Sequence, residues 1–214
     1  EAKEAGRRLG IKEYITLDNH DGELVPSLVV RNQIIREIRK WNADIVLSPR
    51  PNDYHPDHRY TGVLVQDASY LVIVPNIASD INPLTKNPLF LYLNDNFKRP
   101  NPFQPDIVVA IDKSIDKKIN ALDAHVSQMY EWIPWTMGEE NTVPKGKTNR
   151  KKWLKDRWRG NSKISNEEGE SLEKWYGGQS RKDVKYIEVF EVCEYGNRPT
   201  DKQILRLFPM LNKI

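Results

Sequence analysis

The sequence predicts an α/β fold built on a doubly wound, mostly parallel sheet, and three observations predict it. Helical and strand patterns alternate through roughly the first 130 residues, as they do in chains that cross repeatedly over a parallel sheet. The strand candidates Asp44–Ser48, Leu89–Leu93 and Ile107–Ile111 are short, nearly continuous apolar runs, which suits strands covered on both faces. With 214 residues, 38% of them hydrophobic, the chain is long enough for one such domain and an appendage.

Glu1 to Leu9 reads as a helix with Ala2, Ala5 and Leu9 on one face and Gly10 as its stop. A fold of this class normally opens with a β-α-β unit, so the simplest expectation is a strand-helix-strand ahead of Glu1. Tyr14 to Leu17 is β-prone, and Asp18-Asn19-His20-Asp21-Gly22 has the chemistry of a polar turn. An amphipathic helix opens at Pro26-Ser27 and runs to about Asn42, with Val29, Ile34, Ile35 and Ile38 on its apolar face. After the Asp44–Ser48 strand come a loop and a long helix from Pro56 into the Leu71 region. Ser114 to Tyr130 is expected to be a helix, with Ile115, Ile119, Leu122 and Val126 at helical spacing.

The character changes at Glu131. Residues 1–130 read as the core, and 131–214 as an α+β extension packed on it. The extension holds an aromatic loop (Trp132, Pro134, Trp135) and an exposed basic loop over 145–160, with Trp153 and Trp158 interleaved. A helix over Asn166–Trp175, a strand over Tyr186–Val192 and a final helix capped by Thr200 complete it. The net charge is only +3, which does not point to a nucleic-acid or membrane-surface protein. No apolar run approaches the roughly 18–20 residues that cross a bilayer. The lone Cys193 excludes an intrachain disulfide framework and a cysteine-rich metal cluster. A homo-oligomer is compatible with all of this.

The chemistry concentrates in Ser48-Pro49-Arg50-Pro51-Asn52-Asp53-Tyr54-His55-Pro56-Asp57-His58-Arg59. Two of the four histidines lie here, three residues apart. Pro56 suits the first helical position, so His55 falls at the helix start and His58 on its first turn. The loop follows a strand of the predicted sheet, and open α/β sheets bind ligands at the carboxyl ends of their strands. Imidazole suits zinc, and Asp57 is near enough to orient a ring. Spacing alone leaves a surface or structural role for the pair open, and two histidines do not complete a three-ligand catalytic zinc site.

The segment Pro-Asn-Asp-Tyr-His-Pro-Asp-His-Arg resembles the second signature of the LmbE-like, or PIG-L, de-N-acetylases. Phe103-Gln104-Pro105-Asp106-Ile107-Val108-Val109-Ala110-Ile111-Asp112 is similar to that family's Pro-Asp-hydrophobic strand. Lys118-Ile119-Asn120-Ala121-Leu122-Asp123-Ala124-His125-Val126-Ser127-Gln128 is similar to its Lys-x-x-Ala-Leu-x-x-His-x-Ser-Gln helix. The resemblance implies a Rossmann-like sheet and one zinc ion held by two His and one Asp. It implies hydrolysis of an N-acetyl amide on an N-acetylglucosamine-like sugar. On these residues it makes His58 a zinc ligand and His55 the group that polarises the amide oxygen or protonates the leaving amine. Asp57 would then tune His55.

The family's Pro-His-Pro-Asp-Asp motif, which implies the other two ligands and the general base, does not occur in residues 1–214. The site read from this chain is therefore incomplete, and the fragment itself is expected to be inactive. Tyr54 reads either as a substrate or oxyanion contact or as a packed aromatic. Arg50 could contact a sugar or an acidic substituent, and Asp21 lies in what resembles a substrate-facing loop. His125 reads either as a core histidine or as a substrate contact. A non-catalytic carbohydrate- or anion-binding protein on the same fold is the alternative.

Overall fold

Residues 1–160, 164–178 and 180–211 are described in a computed structural model; the side chains of 158–160, 180 and 181 lie outside the described residues, and with them the aromatic and basic groups expected of Trp158 and Arg159. Helix α1 (Ala2–Leu9) ends on Gly10 in the left-handed region, as its sequence predicts. Ser27 starts α2 (Leu28–Trp41) by accepting the Val30 N–H through its hydroxyl. Strand β1 (Ile45–Ser48) follows and leads into α3 (Pro56–Leu71), which has proline in its first turn and His55 as its N-cap. Next come β2 (Leu89–Leu93), β3 (Ile107–Ala110) and α4 (Ile115–Leu122). The later elements are α5 (Ile133–Thr136), α6 (Lys147–Gly160), α7 (Asn166–Tyr176), α8 (Ser180–Asp183), β4 (Ile187–Gly196) and α9 (Asp201–Leu207).

The sheet is α/β in the expected sense, with one difference in its order. β1 and β2 run parallel, Ile45 opposite Leu89 and Ser48 opposite Tyr92, and α3 makes the crossover between them. The strand order is β1-β2-β4-β3, so β4, from the part read as an extension, lies inside the sheet and antiparallel to β2. The alternation of Val189 and Cys193, both buried, marks a strand, but alternation carries no information on which strand it will pair with. Tyr14 to Leu17 forms no strand despite its β-prone residues.

The chain divides into two compact units. One comprises Glu1–Leu17, Ala110–Ser165 and Val184–Ile187. Its core packs Ile115 and Ile119 with Tyr130 and Leu154, and α1 meets α4 through Ala5, Ala121 and Ala124. The helix expected over Ser114–Tyr130 stops at Leu122, and a π-helical stretch, Ser127–Trp132, follows. The basic segment is a helix, α6, where an exposed loop was expected. Lys and Arg are good helix formers, and Leu154, fully buried, anchors one side of it.

The other unit comprises Asp18–Val109, Asn166–Asp183 and Glu188–Ile214. In its core Ile35 and Ile38 of α2 pack with Val65, Ala68 and Val72 at α3, and with Phe90, Tyr92 and Cys193 of the sheet. Arg39 is buried, and its guanidinium donates to the carbonyls of Leu71, Val72, Val74, Ile77, Ala78 and Ile81. Those acceptors include carbonyls at the C-terminal end of α3 that have no partner within the helix. At the other end, α3 lies so close to the loop after β1 that a Cβ on Gly62 would sit 2.8 Å from the Pro49 oxygen and the Arg50 carbonyl carbon. Both obstacles are main chain and cannot rotate away. Gly62→Ala is expected to lower stability by about 1–3 kcal/mol, seen as a lower urea midpoint with an unchanged slope.

Candidate active site

The parallel pairing of β1 with β2 puts the loops that follow them at the same end of the sheet. Arg50, directly after β1, is only 4% exposed. It forms a two-pronged ion pair with Asp95 (2.7 and 2.6 Å) and donates to the carbonyls of Phe97 (2.7 Å) and Asn101 (3.0 Å). Glu191 of β4 lies 3.5 Å from it. The bond to Asp95 raises the already high pKa of Arg50. Burial pushes the Glu191 carboxyl up, against the opposing pull of the Gln104 N–H and Arg50. The guanidinium expected to reach substrate is thus turned inward, where it fastens the β2 loop beneath the β1 loop.

The turn from Asp53 to His58 is organised by two side chains. Asp53 Oδ1 accepts the His55 N–H at 3.0 Å, a local side-chain-to-backbone turn. The same oxygen lies 3.0 Å from His58 Nδ1. His55 precedes proline and is extended, at φ −89° and ψ 132°. It caps α3 by accepting the Asp57 main-chain N–H at Nδ1, 3.2 Å away. The imidazoles of His55 and His58 stand 4.8 Å apart between ring centres, with Tyr54 edge-on to both and 73% exposed.

Those partners set different tautomers on the two rings. A carboxylate only accepts, so His58 carries its proton on Nδ1 and presents a lone pair at Nε2. His55 accepts at Nδ1, so in its neutral form the proton is on Nε2, where it can be donated. The pair offers one acceptor nitrogen suited to a metal and one donor suited to an oxygen or a leaving nitrogen.

Asp57 differs from the expected arrangement. Its carboxylate accepts the N–H groups of Gly22 (2.8 Å) and Leu24 (3.2 Å), and its main chain is what meets His55. The physical reason is direction: at the start of α3 its side chain points toward the 18–24 loop. That bond brings Asp21 to the site, and donor atoms of Asp21, His55 and Asp57 lie within 4.8 Å of one another, an arrangement able to hold a metal ion. His125 belongs to the other unit, after α4. Asp53 and Asp95 are the site residues missed in the sequence. For Asp53 the available signal was a carboxylate two residues before His55 and five before His58.

Paired imidazoles, one braced by a carboxylate and the other by a helix-cap N–H, at the C-terminal end of a parallel β-α-β unit, define a candidate acid-base and metal site on an α/β scaffold. Residues 1–69 match the family model PIG-L, described as GlcNAc-PI de-N-acetylase. A diacetylchitobiose deacetylase from Thermococcus kodakarensis is 32% identical over 145 residues, which are 63% of this chain and 51% of that protein. The chain is similar to the PIG-L, LmbE-like de-N-acetylases, with the family model matched over residues 1–69.

Among solved structures, the N,N'-diacetylchitobiose deacetylase from Pyrococcus horikoshii is similar in fold. Its TM-score is 0.60 at 24% identity, covering 89% of this chain and 61% of that one. The conserved protein TT1542 from Thermus thermophilus matches with a TM-score of 0.55 at 23% identity, covering 92% and 73% respectively. The chain spans about half the length of the curated relative it matches.

Proposed function

We propose that this protein hydrolyses the N-acetyl amide of an N-acetylglucosamine-like sugar, with zinc as its cofactor. The observation that carries the reading is the pair of adjacent imidazoles whose Nδ1 atoms meet different partners, the Asp53 carboxylate at His58 and the Asp57 main-chain N–H at His55. The match of residues 1–69 to the PIG-L model and the name of the Thermococcus kodakarensis relative, a deacetylase, support the same reaction class.

His58 supplies one of the three zinc ligands that the resemblance implies; the other two belong to the Pro-His-Pro-Asp-Asp motif, which residues 1–214 do not contain. Imidazole nitrogen and carboxylate oxygen are donors zinc takes. In the proposal His58 holds it through Nε2. The Asp21–His55–Asp57 cluster beside it offers a competing donor set. When bound, zinc supplies a Lewis acid that polarises the carbonyl and lowers the pKa of water to about 7.

The chain's own groups do the rest. His55 directs its Nε2 proton at the amide oxygen, then at the nitrogen. As the water oxygen joins the carbonyl carbon, the proton it loses passes through a carboxylate at the site to His55, while His55 gives its Nε2 proton to the nitrogen. The C–N bond breaks, acetate departs, and the amine leaves with the protons that water supplied. Tyr54, exposed beside both rings, is placed to hydrogen-bond the substrate. Asp21 is the proposed sugar contact, held in place by the bonds of its loop to Asp57. Arg50 acts from below by fixing the loop.

The test uses the full-length gene product with N-acetylglucosamine and N,N'-diacetylchitobiose. Equal release of acetate and free amine is expected, lost on chelation and restored by zinc. A folded, zinc-loaded protein that releases no acetate from either sugar would contradict the proposal.

A further inference from the structure

We infer that Asp53 is a positioning residue that assigns the two histidines their separate tasks, an inference that rests on His58 being the metal ligand. One oxygen of Asp53 accepts both the His55 main-chain N–H and His58 Nδ1, each at 3.0 Å. Its side chain is only 13% exposed, while that of His58 is 46% exposed. An exposed imidazole without such a partner would sample both tautomers and several rotamers. With Asp53 it is held in one tautomer, Nδ1 protonated, so Nε2 is the free donor.

Asp53 is itself fixed. Its carbonyl and that of Tyr54 each accept from the Arg59 guanidinium, at 2.9 and 3.0 Å. The turn it closes fixes the His55 backbone at the point where that residue caps α3. A single carboxylate therefore sets the orientation of one imidazole directly and the position of the other through the main chain. Carboxylate partners of ligating histidines fix the tautomer and raise the basicity of the bound nitrogen, and their loss costs about 10–100-fold in metal affinity.

Asp53→Asn is the informative change. Asparagine keeps Oδ1 for the turn but carries no charge, so the Nδ1-protonated form of His58 loses the carboxylate that holds it. Zinc affinity is measured in the full-length gene product by competition with a chelating dye, for wild type, Asp53→Asn and His58→Ala. Nitrogen NMR of the imidazoles in the metal-free proteins reads the tautomer directly. Asp53→Asn is expected to weaken zinc binding by about 10–100-fold, to lower kcat more than it raises KM, and to erase the single Nδ1-protonated form of His58.

If Asp53→Asn fails to fold, Asp53→Ser reads the same quantities, because serine can form the turn but is too short to reach the imidazole. Zinc affinity within about twofold of wild type in the Asp53 variant, alongside loss of zinc in His58→Ala, would overturn the inference and leave the ligand assignment standing. Undiminished zinc in His58→Ala would overturn the assignment itself.

Discussion

His55→Ala is expected to lower turnover of an N-acetyl sugar by about 10²–10⁴-fold, the usual contribution of a positioned proton donor, while zinc content stays at the wild-type level. The loss corresponds to about 3–5 kcal/mol of transition-state stabilisation. It should fall on kcat, because a proton delivered to the departing nitrogen is needed only as the C–N bond breaks. His55 also caps α3 through Nδ1, so alanine costs a further ~0.5–2 kcal/mol of stability. His55→Asn separates the two roles. Asparagine is a good N-cap and restores the helix start, yet it has no titratable proton at the Nε2 position. The expected pattern is a stable, zinc-replete and inactive Asn variant, checked by amine release, metal analysis and urea unfolding together. A fully active Asn variant would remove His55 from the chemistry.

The second large effect is structural. Arg50→Met is expected to destabilise the fold by about 3–5 kcal/mol, the cost of leaving a buried charge without its partner. Asp95 would keep its carboxylate at 12% exposure, and the Phe97 and Asn101 carbonyls would lose their donor. In a chain of this size that stability loss shifts the melting temperature by on the order of 10 °C. The pair is too buried for the discount that applies to surface ion pairs, which are worth about 0–1 kcal/mol. Replacing both partners, Arg50→Met with Asp95→Leu, is expected to cost less than the single change, because no charge is then left alone. If Arg50→Met melted within about 2 °C of wild type, the loop would be held by something other than this pair.

Much of this site could be read from local chemistry. Pro56 at the first helical position and the i,i+3 histidines fixed the α3 start and placed both rings on its first turn, since capping and helical spacing involve only neighbouring residues. The Ser27 and Thr200 caps were legible for the same reason. What escaped depends on contacts between residues far apart in the chain, or on the path of one turn. Arg50 read as a contact to a sugar or an acidic substituent because Asp95, its partner, lies 45 residues away in another loop. Asp53 acts only because the turn folds its side chain back under His58. Asp57 was expected to face His55, but the approach of the 18–24 loop gave its carboxylate two main-chain donors. The basic segment hid a helix because Leu154, the deep anchor among its described side chains, is conspicuous only once Ile115, Ile119 and Tyr130 surround it.

The most direct test is to locate the metal in zinc-loaded, full-length protein by anomalous X-ray diffraction at the zinc edge. One zinc is expected with His58 Nε2 about 2.0–2.1 Å away, Asp53 still on Nδ1, and His55 outside the coordination sphere. Zinc seated among Asp21, His55 and Asp57 with His58 unligated would contradict this assignment.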